Sequence, residues 1–200
     1  MTLDWGVAMR TLPGEIACGD CATVVRHVDG FVIAVADGLG HGPEAAVASG
    51  AAIAAVDANA GAPIDDLIRL CHERLRSTRG AALSVATLDA YGETLAWGGV
   101  GNVDGVLLPH SLRGDGAQRE AILLQGGIVG YQLPKLRIRR CAVAVGDTLI
   151  FTTDGILSSY LEGVVLYEPP QVLASLLLDK YFRGTDDGLV LVARLLEAAA

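Results

Sequence analysis

At 200 residues, 52% hydrophobic and 19% charged, the chain is long enough for one packed domain with a real core. Its 23 acidic and 15 basic residues leave a net charge of −8, which excludes the basic face that nucleic-acid binding needs. Taken in order, residues 3–9 read as a first strand. Ala22–Val28 and Phe31–Ala36 are apolar, β-branched runs separated by Asp29-Gly30, a strong two-residue hairpin signal. Pro43 to about Ala60 reads as a helix with Pro43 and Glu44 in its first turn. Pro63 to about Ser77 reads as a second helix, with Leu67, Ile68, Leu70, Cys71 and Leu75 along one apolar face. Strands follow at 81–89, 93–99, 103–109, 119–125, 136–145 and 148–153. A short helix is expected after Gly155, a longer one at Gln171–Tyr181, and a closing strand at Leu189–Leu195.

This order predicts an α+β domain. Short turns between successive strands imply mainly antiparallel sheets. Many strands with only three real helices suit two sheets packed face to face and covered by helices. The N-terminus Met1-Thr2-Leu3-Asp4-Trp5 lacks the basic region and apolar run of a signal peptide. The longest charge-free helical stretch, Ala45 to Val56, has 12 residues and is too short to span a bilayer. The four cysteines at 18, 21, 71 and 141 make no disulfide framework, so a reducing cytoplasm is expected. Cys18-Gly19-Asp20-Cys21 could be a redox pair or half a zinc site. It lacks a second pair, and a strand follows it rather than a helix.

The stretch with most chemistry is Asp37-Gly38-Leu39-Gly40-His41-Gly42, directly after an apolar strand. A carboxylate supplies the hard oxygen that Mg²⁺ or Mn²⁺ prefers, and glycines let the backbone approach a ligand. If Asp29-Gly30 is the loop of a hairpin, Asp37 opposes Ala22, and Asp20 lies two residues further along on the same face. Such diagonal neighbours are about 7–8 Å apart at Cα. A second hairpin, 136–145 turning at Gly146-Asp147 into 148–153, would bring Asp154-Gly155 to another strand end. Thr185-Asp186-Asp187-Gly188 enters the last strand. Asp29, Asp104 and Asp147 read as ordinary turn residues.

These segments, in this order, resemble the metal-dependent protein serine/threonine phosphatases (PPM, or protein phosphatase 2C-like) in their bacterial SpoIIE-type branch. Gly19-Asp20 matches the first motif, and Phe31–Gly42 the second. Gly126-Gly127-Ile128-Val129-Gly130 resembles the mid-chain glycine loop. The run from Gly146 to Gly155 matches the third motif, and Asp186-Asp187-Gly188-Leu189-Val190 the last. Thr78-Arg79-Gly80-Ala81-Ala82 and Gly101-Asn102-Val103 are similar to the small stressosome phosphatases of that branch.

The resemblance implies a four-layer α-β-β-α sandwich over residues 1–200, a single domain without a regulatory module. It implies two divalent cations, Mn²⁺ or Mg²⁺, and hydrolysis of phosphoserine or phosphothreonine by a metal-activated water. Asp37 would bridge the ions, and the Gly38 carbonyl would bind one. Asp20, Asp154 and Asp186 would supply further carboxylates. Asp187 belongs to the same set, at a position that is often Asn. Asp37 and Asp154 would be the catalytic carboxylates. His41 is either the proton donor to the leaving oxygen or a residue packing the following helix. Arg10 stands nearest to the phosphate-binding arginine of eukaryotic relatives.

The implied partners are phosphorylated STAS-domain stressosome proteins, met in the cytoplasm by a monomer, with no nucleic acid and no membrane. Two other functions fit the same residues. One is a phosphatase of another anti-sigma-pathway protein, and the other is a catalytically weak phosphatase-like binding scaffold.

Overall fold

The computed structural model describes residues 2–110, 119–164 and 166–197. Eleven strands and three α-helices are described. They are β1 (Thr2–Arg10), β2 (Asp20–His27), β3 (Gly30–Gly38), α1 (Pro43–Ala58), α2 (Ile64–Leu75), β4 (Ala81–Asp89), β5 (Thr94–Val100), β6 (Asp104–Leu108), β7 (Glu120–Ala121), β8 (Leu124–Gln125), β9 (Arg139–Ala142), β10 (Thr148–Thr152), α3 (Pro170–Tyr181) and β11 (Gly188–Leu196). A 3-10 helix, Ser158–Gly163, precedes α3. Among the described residues no helix is long and apolar enough to cross a membrane.

The strands form two sheets. One has the order β1-β11-β10-β6-β7 and the other β2-β3-β4-β5-β8, with β9 also on β5. All pairings are antiparallel except β5 with β8.

Strand periodicity explains the layers. Ile33, Val35, Trp97, Phe151, Leu189 and Leu191 fill the space between the sheets. The alternate residues Val32, Ala34 and Ala36 face α1 and α2, and Val190 and Val192 face α3. Side chains that alternate in this way give each sheet two buried faces. The result is the expected α-β-β-α sandwich. On α1 the small residues Ala45, Ala48, Ser49 and Ala52 are buried, which lets the helix backbone lie close to β3. A Cβ on Gly38 would come within 2.0 Å of the Ala45 carbonyl oxygen.

Four local expectations are corrected. First, the β2–β3 loop is Val28-Asp29, with His27 paired to Gly30, so Asp20 directly opposes Asp37. Gly30 belongs to the strand, where a Cβ would collide with the Leu88 carbonyl oxygen at 1.9 Å. Both the close approach of β4 and a positive φ of 134° require glycine there. The slip is an even number of residues, so both carboxylates stay on the predicted face.

Second, 136–153 is not a hairpin. β9 pairs with β5 in one sheet, and β10 pairs with β6 and β11 in the other. The Gly146-Asp147 turn therefore carries the chain between sheets. Third, the single strand expected at 119–125 splits into β7 and β8 on different sheets. Fourth, Leu70 is exposed rather than on the buried face of α2, which Leu67, Ile68, Cys71 and Leu75 form.

Candidate metal centre

Side-chain parity leads one end of both sheets to the same place. On β3, Asp37 follows Ile33 and Val35 on the inter-sheet face. On β2, Asp20 shares a face with Ala22 and Val24, which pack against the same core. From the other sheet, Thr153 follows Leu149 and Phe151, and Asp187 precedes Leu189 and Leu191. The carboxylates thus cap the open end of the inter-sheet core.

One hydrogen bond joins the two sheets there. The buried Thr153 hydroxyl donates to Asp20 Oδ2 at 2.7 Å, and it accepts the Leu189 N–H at 2.9 Å. Asp20 is only 4% exposed. Burial pushes its carboxyl up to about 7; the Thr153 bond opposes the rise, and the charges of Asp187, Asp154 and Asp186 add to it. Asp37 is pushed up to about 8 by burial, then by Asp20, Asp154, Asp186 and Asp187. Asp154 lies higher than an ordinary carboxylate through burial and the Asp186 charge, and Asn102 and Arg183 oppose the rise. Burial leads each rise, and the repulsion among the acids adds to it.

Asp186 is half-buried and accepts the Asp187 N–H at 2.8 Å. Asp187 is placed differently. It is 3% exposed, and its two oxygens accept the N–H groups of Leu12 and Gly19, each at 2.8 Å. Gly38 lies at the end of β3, with its N–H donated to the Gly19 carbonyl at 3.0 Å. His41 is exposed and turned to Glu15, with Nδ1 2.5 Å from Oε1. Arg10 is committed elsewhere: it pairs with Asp179 of α3, and its guanidinium lies 5.3 Å from the Phe182 ring centre.

Sequence reasoning overlooked two residues. Asn102 donates to Asp154 Oδ2 at 2.6 Å, and Glu15 holds His41. A positive-φ glycine, Gly101, just before Asn102 marks a tight loop, which was the available signal for the first. The second had no signal, since a Glu in a Gly/Pro loop is ordinary.

The rival cysteine chemistry loses ground. All four thiols are free. Cys18 is pushed up to about 12, mainly by burial, and Cys21 is raised for the same first reason. A thiol held this far from ionisation by burial is a poor nucleophile.

The donor set fits divalent cations. It is made of hard carboxylate oxygens, crowded and under-compensated, at one end of the inter-sheet core. Among the described residues no three His, Cys, Asp or Glu side chains form a ready-made cage for one ion. Mg²⁺ usually keeps several waters and takes only one or two carboxylates, so a spread acidic rim suits hydrated ions.

Comparison with known proteins agrees with this geometry. Residues 27–195 match the family described as Stage II sporulation protein E (SpoIIE). The phosphoserine phosphatase RsbX of Bacillus subtilis (strain 168) is 27% identical over 143 residues, which cover 72% of this chain and 69% of that protein. A solved chain described under "The bacterial stressosome: a modular system that has been adapted to control secondary messenger signaling" superposes with a TM-score of 0.87. It is 33% identical over 97% of this chain and 100% of its own. RsbX in complex with magnesium superposes with a TM-score of 0.84 at 23% identity, covering 96% of this chain and 95% of its own, a likeness of fold. With its sandwich, its acidic end and a family match over most of its length, the chain belongs to the SpoIIE family of PP2C-type phosphatases.

Proposed function

We propose that this protein is a Mn²⁺- or Mg²⁺-dependent protein serine/threonine phosphatase that dephosphorylates STAS-domain proteins of a stressosome. The observation that carries the chemistry is the direct cross-strand pairing of Asp20 with Asp37, with Asp154 and Asp186 brought to the same end by the other sheet. The substrate class follows from the likeness to RsbX and to the stressosome chain. In this reading the chain works as a single phosphatase domain and as a monomer in the cytoplasm.

Asp20, Asp37, Asp154 and Asp186, with the Gly38 carbonyl, would hold the two ions. Two ions bound there supply a water of lowered pKa and neutralise charge on the transferring phosphoryl group. The protein's own residues have simpler tasks. Thr153 fixes the Asp20 carboxylate, and Asn102 fixes Asp154. Ionised Asp37 and Asp154 would orient the attacking water, whose proton is released to solvent. His41 is exposed and bonded to Glu15, so this reading gives it no proton-donating role, and bulk water protonates the leaving seryl oxygen.

The test is turnover of p-nitrophenyl phosphate with Mn²⁺, with and without EDTA, followed by a phosphorylated STAS-domain protein. Chelator-sensitive turnover of both is expected. Turnover that ignores EDTA would remove the metal mechanism. Hydrolysis of the small ester without the phosphoprotein would leave a phosphatase of another anti-sigma-pathway protein. Ion binding without any turnover would favour the binding scaffold.

A further inference from the structure

The loop between β1 and β2 carries the chain from one sheet to the other, and Asp187 holds it at both ends. One carboxylate oxygen takes the Leu12 N–H and the other takes the Gly19 N–H. The packing leaves little freedom. A Cβ on Gly19 would lie 2.9 Å from Asp187 Oδ2, and a Cβ on Gly155 would lie 1.9 Å from the Asp187 carbonyl oxygen. The Gly19 carbonyl in turn accepts the Gly38 N–H at 3.0 Å, and Gly19 immediately precedes Asp20. Between its clasped ends the loop turns through the Glu15 N–H to Leu12 carbonyl bond, and it reaches the Asp37–Gly42 segment through Glu15 and His41. Glu15 Oε2 stands 2.5 Å from where a Gly42 side chain would begin. Next to it, Ile16 is 90% exposed at the rim.

We infer that Asp187 is a positioning residue rather than an ion ligand: it clasps the 12–19 loop as a wall beside the acidic centre, where a protein substrate meets Glu15 and Ile16. The part about substrate rests on the phosphatase reading; the clasp does not. A carboxylate suits the task because it offers two acceptor oxygens to two donors. An asparagine at 187 would offer one acceptor and turn an N–H₂ toward the second N–H.

The experiment compares wild type, Asp187→Asn and Asp186→Asn. Mn²⁺ binding is followed by calorimetry and backbone hydrogen exchange by mass spectrometry. Asp187→Asn is expected to keep Mn²⁺ affinity within about threefold, and Asp186→Asn to lose at least about tenfold. Exchange in the 11–19 segment should speed up at least about tenfold in Asp187→Asn and stay unchanged in Asp186→Asn. The KM for the phosphoprotein should rise about fivefold in Asp187→Asn, with kcat on p-nitrophenyl phosphate within about twofold of wild type. Equal loss of Mn²⁺ affinity in the two variants, or unchanged exchange in the loop, would overturn the inference. If Asp187→Asn does not fold, the wild type still decides. Leu12 and Gly19 must be the slow amides of the loop, and fast exchange at both would overturn the clasp. A wild type without chelator-sensitive turnover would sink the phosphatase reading while the exchange and calorimetry arms still judge Asp187.

Discussion

The two ends of the sandwich use the same residue for opposite purposes. At the far end, Asp89 and Asp147 sit in turns and are surrounded by donors. Asp89 Oδ1 accepts the N–H groups of Tyr91 and Glu93, each at 3.0 Å. Burial alone would raise its pKa, but the Glu93 N–H and the Thr94 hydroxyl lead a set of hydrogen bonds that holds it below the ordinary carboxylate value. Asp147, 7% exposed, accepts the N–H groups of His110 at 2.8 Å and Ala144 at 3.0 Å. At the near end, Asp20 and Asp37 face each other with few donors, and both are pushed up. An aspartate at a strand end is, in sequence, neutral between these outcomes. What separates them is whether the backbone around the carboxylate turns its N–H groups inward, or another strand brings a second carboxylate instead.

That contrast can be broken in three ways. The largest effect belongs to Asp37→Asn, which should lower kcat/KM on p-nitrophenyl phosphate with Mn²⁺ by about 10³-fold. A variant that kept most of its activity would put the centre elsewhere. Asp147→Ala should do the reverse, leaving kcat/KM within about twofold while destabilising the fold by about 2 kcal/mol, a fall in Tm on the order of 5 °C. An equal loss of activity would mean that the two ends are coupled and the contrast is false.

The smallest effect is on pH dependence without divalent ions. Asp20 and Asp37 have folded values of about 7 and 8 against 3.8 for the free side chain, so the native state holds protons that the unfolded chain has released. Their contribution is complete below about pH 4 and is lost as pH rises through 7 to 8. Chelator-treated protein should therefore melt several degrees lower at pH 9 than at pH 6. Added Mn²⁺ should flatten that slope. A slope that persisted in Asp20→Asn/Asp37→Asn would belong to other groups.

Much of this was legible before any coordinates. Apolar runs located β1 to β6, β10 and β11, and Pro43, Pro63 and the apolar periodicity located the helices, because these signals are local. The placement of Asp20 near Asp37 also followed from the hairpin, although the register was off by two residues. A dipeptide cannot say that Gly30 lies in the strand, against β4, rather than in the loop itself. The 136–153 segment failed for a related reason. Gly146-Asp147 has good turn chemistry, but which sheet each flank joins depends on β5, β6 and β11, far away in the chain. The clasp at Asp187 was hidden most completely, since its partners Leu12 and Gly19 are 175 and 168 residues distant. Backbone N–H donors leave no trace in residue identity.

The Thr153–Asp20 bond has a wider consequence, because its two ends belong to different sheets. Neither sheet owns the centre: one supplies Asp20 and Asp37, and the other supplies Thr153, Asp154 and Asp186. If the proposed centre holds its ions there, ion affinity is a gauge of how the two halves dock. In the proposed reading, a substitution deep in the shared interior, at Phe151 or Trp97, touches no carboxylate, yet it would weaken ion binding by shifting one sheet's carboxylates against the other's. Selection for catalysis at the rim is, by the same route, selection on packing at the middle.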